Sequence, residues 1–188
     1  ARWRSRGLRL VVAVNVSALQ FHRPDFVDSV SRALRESELP PQWLELELTE
    51  SILIQDAQEA MTRLDALARL GVRLSIDDFG TGYSSLTYLK RVPIGQLKID
   101  RSFIGGLPGD DSDVAIVQAI IDMGRALHLQ VIAEGVETEA QRQFLQRAGC
   151  DLYQGFLFSP ALDAPGFERL AASAVPPPAT RPMRLVSA

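Results

Sequence analysis

Hydrophobic residues fall along this chain in short blocks that switch between a period of two and a period near 3.6. Arg9 to Val16 reads RLVVAVNV, a near-continuous β-branched run of the kind that forms strands buried on both faces. Leu44 to Glu50 reads LELELTE, an alternation that sets Glu45, Glu47 and Thr49 on one face and Leu44, Leu46, Leu48 and Glu50 on the other. Val72–Ile76, Gln96–Asp100, Gln130–Ala133 and Asp151–Phe156 are the other strand-like blocks. Helical stretches separate them. Pro24-Asp25 opens one that runs to about Glu38 and stops at Leu39-Pro40-Pro41; a long amphipathic stretch covers Ile52–Leu70 and ends at Gly71. Ser84 to Arg91 makes a short helix closed by Pro93, and Asp113 caps a helix reaching about Leu127. Thr138 caps Glu139–Ala148, ended by Gly149, and a weak helix lies near 165–173. Residues 1–8 read as the end of an earlier helix with Gly7 as its stop, and the tail from Val175 as proline-rich and disordered.

Strand and helix therefore alternate six times, a pattern that calls for a parallel sheet with right-handed crossovers. Asn15, Glu47, Asp77, Asp78, Lys98, Glu134 and Gln154 all fall at or near the C-terminal ends of their strands. They are spaced by roughly 20 to 36 residues, room for a crossover each. In a (β/α)8 TIM-like barrel those ends meet on one face, where active sites lie. Six independent strands do not deliver polar residues to one face by accident. A full barrel needs eight units and about 250 residues, so about six of the eight units are expected here. The expected shortfall is N-terminal, where the chain starts mid-element. The expected organisation is a barrel portion over 1–174 and a disordered tail over 175–188.

Composition changes this picture little. A length of 188 residues suits one domain, and 46% hydrophobic with 23% charged residues is ordinary for a soluble globular protein. A net charge of −3 without a basic stripe argues against duplex nucleic acid. No apolar run approaches the ~18 residues of a membrane helix. The single cysteine, Cys150, fits a cytoplasmic, reducing setting and reads as a small core residue.

The chemistry centres on Leu74-Ser75-Ile76-Asp77-Asp78-Phe79-Gly80-Thr81-Gly82-Tyr83-Ser84-Ser85. Adjacent aspartates repel unless a cation lies between or beside them. Taken alone, an Asp-Asp pair is more often a solvated acidic turn. Asn15, Glu47, Asp77 and Asp78 together offer hard oxygen ligands from three successive strands, a set suited to one or two divalent cations that clamp a displacement at phosphorus. Lys98 can neutralise a phosphate oxygen, or merely pair with Asp78. Glu134 is the candidate base or water-orienting group. Gln154 is placed to hydrogen-bond a base edge or a phosphate. Glu50 and Glu137 read as carboxylates at helix starts.

The strings NVSA (15–18), ELTES (47–51), DDFGTGYSSL (77–86), LKIDRSF (97–103), AEGVET (133–138) and QGF (154–156) resemble the EAL domain family over nearly the whole chain, through Leu162. That family contains bacterial phosphodiesterases that open cyclic di-GMP to 5′-pGpG. The resemblance implies metal ligands at Asn15, Glu47, Asp77 and Asp78, with Mg²⁺ or Mn²⁺, two ions, as cofactor. It implies that Lys98 and Glu134 act on the attacking water, with Gln154 and Glu137 in support. Glu50 would brace the loop Asp78–Ser85, which in this family also takes part in homodimer formation. Sensor or cyclase domains upstream would fit the same family. The chain departs from it in one respect: the Glu-Ala-Leu motif, whose glutamate is a ligand, is absent, so turnover by this piece alone is in question.

Two alternatives stand beside this resemblance. A non-catalytic cyclic di-GMP receptor or interaction module would show replaced ligands or a broken DDFGTG loop, and neither is seen. A dinucleotide-binding fold is suggested by Gly80-x-Gly82 with Asp100 beyond. It fails because Ser85 occupies the third glycine position and two aspartates would repel a pyrophosphate.

Overall fold

The computed structural model describes residues 3, 10–53, 57–82, 89–173 and 184–185. The expected helix end over 1–8 (apart from residue 3) and the expected helix from Ser84 fall mostly outside them. The chain divides into two compact units, Ala1–Leu97 and Lys98–Ala188.

In the first unit three strands run parallel: β1 (Val12–Val16), β2 (Leu44–Thr49) and β3 (Arg73–Phe79). The register pairs Asn15 with Glu47, and Glu47 with Ser75, so these three residues form one row across the strands. Thr49 and Asp77 share a later row. Between the strands lie α1 (Ala18–Phe21), α2 (Phe26–Glu36) and α3 (Ala57–Leu70). Leu46, Leu48, Leu74 and Ile76 are buried together with Phe21, Ile52, Leu64 and Leu67. Each such side chain contributes about 2 kcal/mol of transfer free energy.

Several expectations are corrected here. β1 is not buried on both faces: Val12 and Val14 are 40% and 43% exposed, because within this unit β2 is its strand partner. α1 was not anticipated; Ser17 and Gln20 form a reciprocal capping box that starts a helix within four residues of the strand end. The stretch after β2 does not begin directly as an α-helix. Glu50–Leu53 makes a 3-10 turn, and α3 starts only at Ala57. β3 extends beyond Ile76 to include both aspartates.

The second unit takes over within β4 (Gln96–Ile99), where the division falls. It contains α4 (Arg101–Ile104), α5 (Asp111–Ala126), β5 (Gln130–Ala133), α6 (Glu139–Ala148), β6 (Leu152–Tyr153), α7 (Ala164–Ser173) and β7 (Arg184–Leu185). β5, β6 and β7 pair in parallel. The core gathers Ile99, Ile104, Val117, Ile121, Val131, Ile132 and Leu145. α5 lies so close to β5 that a Cβ on Gly124 would overlap Val131.

Asp110, not Asp113, caps α5: its Oδ1 accepts from the backbone N–H groups of Ser112 at 2.8 Å and Asp113 at 3.1 Å. Thr138 caps α6 with a full capping box through Gln141, and Gly149 ends it in the left-handed region at φ 84°. β6 is shorter than the expected Asp151–Phe156, since Gly155 at φ 151° takes the chain out of the strand. Of the 175–188 tail only Arg184–Leu185 is described, and those two residues form β7; the rest lies outside the described residues.

Candidate active site

The first unit brings three oxygen-bearing side chains to one place. One terminal heteroatom of the Asn15 amide lies 3.0 Å from Asp77 Oδ2 and 3.3 Å from Glu47 Oε2. As an NH2 it donates to both carboxylates. As a carbonyl oxygen it makes three oxygens converge, an arrangement that a cation holds together. Glu47 is only 7% exposed, so it is not a solvated position of the alternating strand.

Asp78 follows in the left-handed region at φ 53°. That conformation is costly for a residue with a Cβ and breaks the up-down alternation of a strand. The turn that Asp78 opens is closed by Thr81, whose Oγ1 donates to the Asp78 carbonyl at 2.8 Å. Its own N–H donates to Asp77 Oδ1 at 3.1 Å. As a result Asp77 and Asp78 offer carboxylate oxygens within 4.8 Å of each other, although they are neighbours in a strand. The donor set fits a hard divalent cation: oxygen-bearing side chains carried on adjacent strands, with Glu47 and Asp77 buried and Asn15 open to solvent.

Glu50 is buried at the foot of the following loop. Its Oε2 accepts from the Gly80 backbone N–H at 3.4 Å, and a Cβ on Gly82 would lie 3.2 Å from its carboxyl carbon. Its Oε1 has no hydrogen-bond partner. Sequence reasoning passed over Ser75. It is fully buried in the row of Asn15 and Glu47, two residues before Asp77 and therefore on the same strand face, and its hydroxyl has no hydrogen-bond partner. A lone serine in an otherwise apolar block, in phase with a carboxylate, was the signal that could have found it.

The second unit brings together Lys98, Glu134 and Gln154. Lys98 is 3% exposed, and its Nζ lies 2.5 Å from Glu134 Oε1. Gln154 Nε2 donates to that same oxygen at 2.7 Å. Backbone bonds hold Glu134 and Gln154 in place. Glu134 N–H donates to the Ile99 carbonyl at 3.1 Å, Gln154 N–H to Ala133 at 2.9 Å, and Val136 N–H back to Gln154 at 3.0 Å. A carboxylate so held is oriented by two donors on one oxygen.

Glu137 is exposed, and its backbone N–H donates to Gln141 Oε1 at 2.9 Å. Gly135, at φ 69°, stands beside Arg101, so that a Cβ there would come within 2.7 Å of the Arg101 Cβ. Cys150 is buried, and burial pushes its thiol up to about 12, which keeps it a neutral core residue.

Parallel strands with interleaved helices, and polar side chains at the C-terminal strand ends of each unit, define an α/β protein of the TIM-barrel-like class. The chain belongs to the EAL domain family, whose model matches residues 1–161. Over 162 residues it is 54% identical to the bifunctional diguanylate cyclase/cyclic di-GMP phosphodiesterase MucR of Pseudomonas aeruginosa, covering 86% of this chain and 23% of that protein. A solved structure described as the PaMucR phosphodiesterase in complex with c-di-GMP superimposes with a TM-score of 0.85 at 51% identity, over 90% of this chain and 68% of that one. The manganese/cy-diGMP complex of Klebsiella pneumoniae BlrP1 matches at a TM-score of 0.76 and 33% identity, over 84% of this chain and 41% of that one. The chain thus has the TIM-barrel-like EAL fold with about six of its eight units, and spans about a quarter or less of the curated relatives it most resembles.

Proposed function

We propose that this chain is the C-terminal portion of the EAL barrel of a cyclic di-GMP phosphodiesterase that yields 5′-pGpG in bacterial second-messenger signalling. The observation that carries the reading is the convergence of Asn15, Glu47 and Asp77 at 3.0 and 3.3 Å on one side of three parallel strands. The substrate is taken from the relatives named above, two described as phosphodiesterases and two as complexes with this nucleotide.

Asn15, Glu47, Asp77 and Asp78 are the residues that would hold Mg²⁺ or Mn²⁺, two ions in our reading. When bound, such cations neutralise phosphate charge and make water a stronger acid. Glu134 accepts the proton of the attacking water, and Lys98 and Gln154 fix the carboxylate in the orientation that does so. Water oxygen bonds to phosphorus, the bond from phosphorus to the 3′ oxygen breaks, and the leaving oxygen is released as a hydroxyl. One water is consumed for each ring opened. Glu50 braces the Asp78–Ser85 loop through Gly80, and Glu137 plays a supporting part through the backbone after Glu134.

A homodimer formed partly through that loop, upstream sensor or cyclase domains, and a cytoplasmic setting complete the proposal. Among the described residues no helix is long and apolar enough to cross a membrane.

The test is hydrolysis of cyclic di-GMP followed by chromatography, in Mn²⁺ and then Mg²⁺. It compares this chain, the same chain extended through the residues that precede it in its source, and an extended Glu134→Ala variant. Production of pGpG by the extended wild type and its loss in Glu134→Ala is the expected result. Nucleotide binding without turnover by the extended chain would overturn the enzyme reading in favour of a receptor.

A further inference from the structure

Among the described residues, Ser75 is the one strand residue of the first unit whose buried polar atom is in the same row as the candidate ligands and has no hydrogen-bond partner. Leu74 and Ile76 face the other way, into the apolar core, so Ser75 is not there to fill a gap that alanine would leave. A hydroxyl kept from water and unpaired costs free energy, and strands of this kind are otherwise filled with apolar residues. Its neighbours in register and in phase are Glu47 and Asp77. Both are acceptors, and the Ser75 hydroxyl has no partner, so a group that joins it to this corner must be able to bond to a hydroxyl and to carboxylates alike.

Water satisfies that description, and hard divalent cations retain several waters when they bind to protein oxygens. We propose that Ser75 is a positioning residue of the cation site, its hydroxyl hydrogen-bonding a water retained by the cation held at Asn15, Glu47 and Asp77. This inference rests on the cation reading above and extends it to a residue for which that reading has no role. Outer groups of this sort typically set metal affinity by 10- to 100-fold. Ser75 is itself fully buried, and such a bond is stronger where bulk water is kept away.

The test measures Mn²⁺ binding by isothermal titration and by the Mn²⁺-induced shift in melting temperature, using the full-length protein carrying this sequence, for wild type, Ser75→Ala and Glu47→Ala. The expected result is that Ser75→Ala melts at the wild-type temperature or above without metal, because an unpaired hydroxyl has been removed. It should also bind Mn²⁺ about 10-fold more weakly. A merely structural serine would show the opposite pairing, with a lower metal-free melting temperature and an unchanged Mn²⁺ affinity. Ser75→Ala binding Mn²⁺ within twofold of wild type overturns the proposal while Glu47→Ala still abolishes binding. If Glu47→Ala also binds normally, the cation site itself is misplaced and both readings fall.

Discussion

Replacing Gly155 by alanine should cost about 3–5 kcal/mol of stability and, with it, the aim of Gln154. The estimate has three sources. Gly155 holds φ at 151°, a conformation that a residue with a Cβ adopts at a cost of about 1–3 kcal/mol. The new Cβ would stand 2.8 Å from Val136 C, about 0.7 Å inside ordinary carbon contact, and would overlap Val136 N and O more deeply. Those are backbone atoms, so no side-chain rotation relieves the clash, and overpacking of that kind costs about 1–3 kcal/mol. The atoms struck are also the ones engaged in hydrogen bonds, Val136 N–H to Gln154 O and Leu157 N–H to Val136 O, both at 3.0 Å. Losing either costs roughly 1 kcal/mol. Gln154 immediately precedes the substitution, so its amide should leave Glu134 Oε1 and cyclic di-GMP hydrolysis should fall with stability. Urea unfolding of the full-length protein followed by fluorescence measures the first effect. Gly95→Ala is the control, because a Cβ there meets nothing within 4 Å, and it should stay within about 0.5 kcal/mol of wild type. A Gly155→Ala protein within 1 kcal/mol of wild type that keeps its activity would refute the reasoning: the turn would then not be held against Val136, and Gln154 would not depend on it.

Lys98→Met removes the cation 2.5 Å from Glu134 at a site only 3% exposed, and should lower stability by about 3 kcal/mol with loss of turnover; a denaturation curve overlying wild type would show that the pair is dispensable. Thr138→Ala breaks the capping box of α6 and should cost about 1 kcal/mol, read from the urea midpoint at unchanged slope. Hydrogen bonds from Arg142 hold the Glu139 carboxyl at about 2, below its ordinary 4.5. The pair therefore contributes above pH 4.5 and its contribution fades as pH falls toward 2. The melting temperatures of wild type and Glu139→Gln should differ at neutral pH and converge across that window. The Cys150 thiol, raised from 9.0 to about 12 by burial, should not react with a thiol reagent at pH 8 until the protein is unfolded in urea. Since the folded value lies above the unfolded one, its linkage favours the unfolded state only as pH climbs from 9 toward 12.

The candidate ligands were legible because a parallel sheet leaves little freedom: strand blocks separated by helices put their C-terminal residues on one side. Asn15, Glu47 and Asp77 could be singled out on that ground, and the structure places the three together. What stayed hidden depended on neighbours that a single block does not reveal. The β-branched run at Val12–Val16 has the composition of a central strand, yet its exposure is decided by how many partners flank it. Asp110-Asp111-Ser112-Asp113 offers several acceptable caps, and only backbone geometry selects Asp110. Adjacent aspartates in a strand should diverge, and it is the left-handed Asp78 that brings their oxygens near each other. Ser75 is easy to pass over because an isolated serine in a strand block reads as filler unless its phase with Asp77 is followed.

The parallel register of the first unit also sets a schedule for its synthesis. Val12 pairs with Leu44, so each residue of the strand that carries Asn15 must wait for a partner made 32 positions later. At ribosomal rates of about 5–20 residues per second, that is roughly 2–6 seconds. Through that interval a β-branched segment is without its partner strand, and local helices such as α2 can form long before the ladder closes. The steps that assemble Asn15, Glu47 and Asp77 are then among the last that this half of the chain completes. A clock of that kind favours factors that shield a nascent Val12–Val16, and it makes slow codons between α2 and β2 a burden on yield rather than on the finished protein.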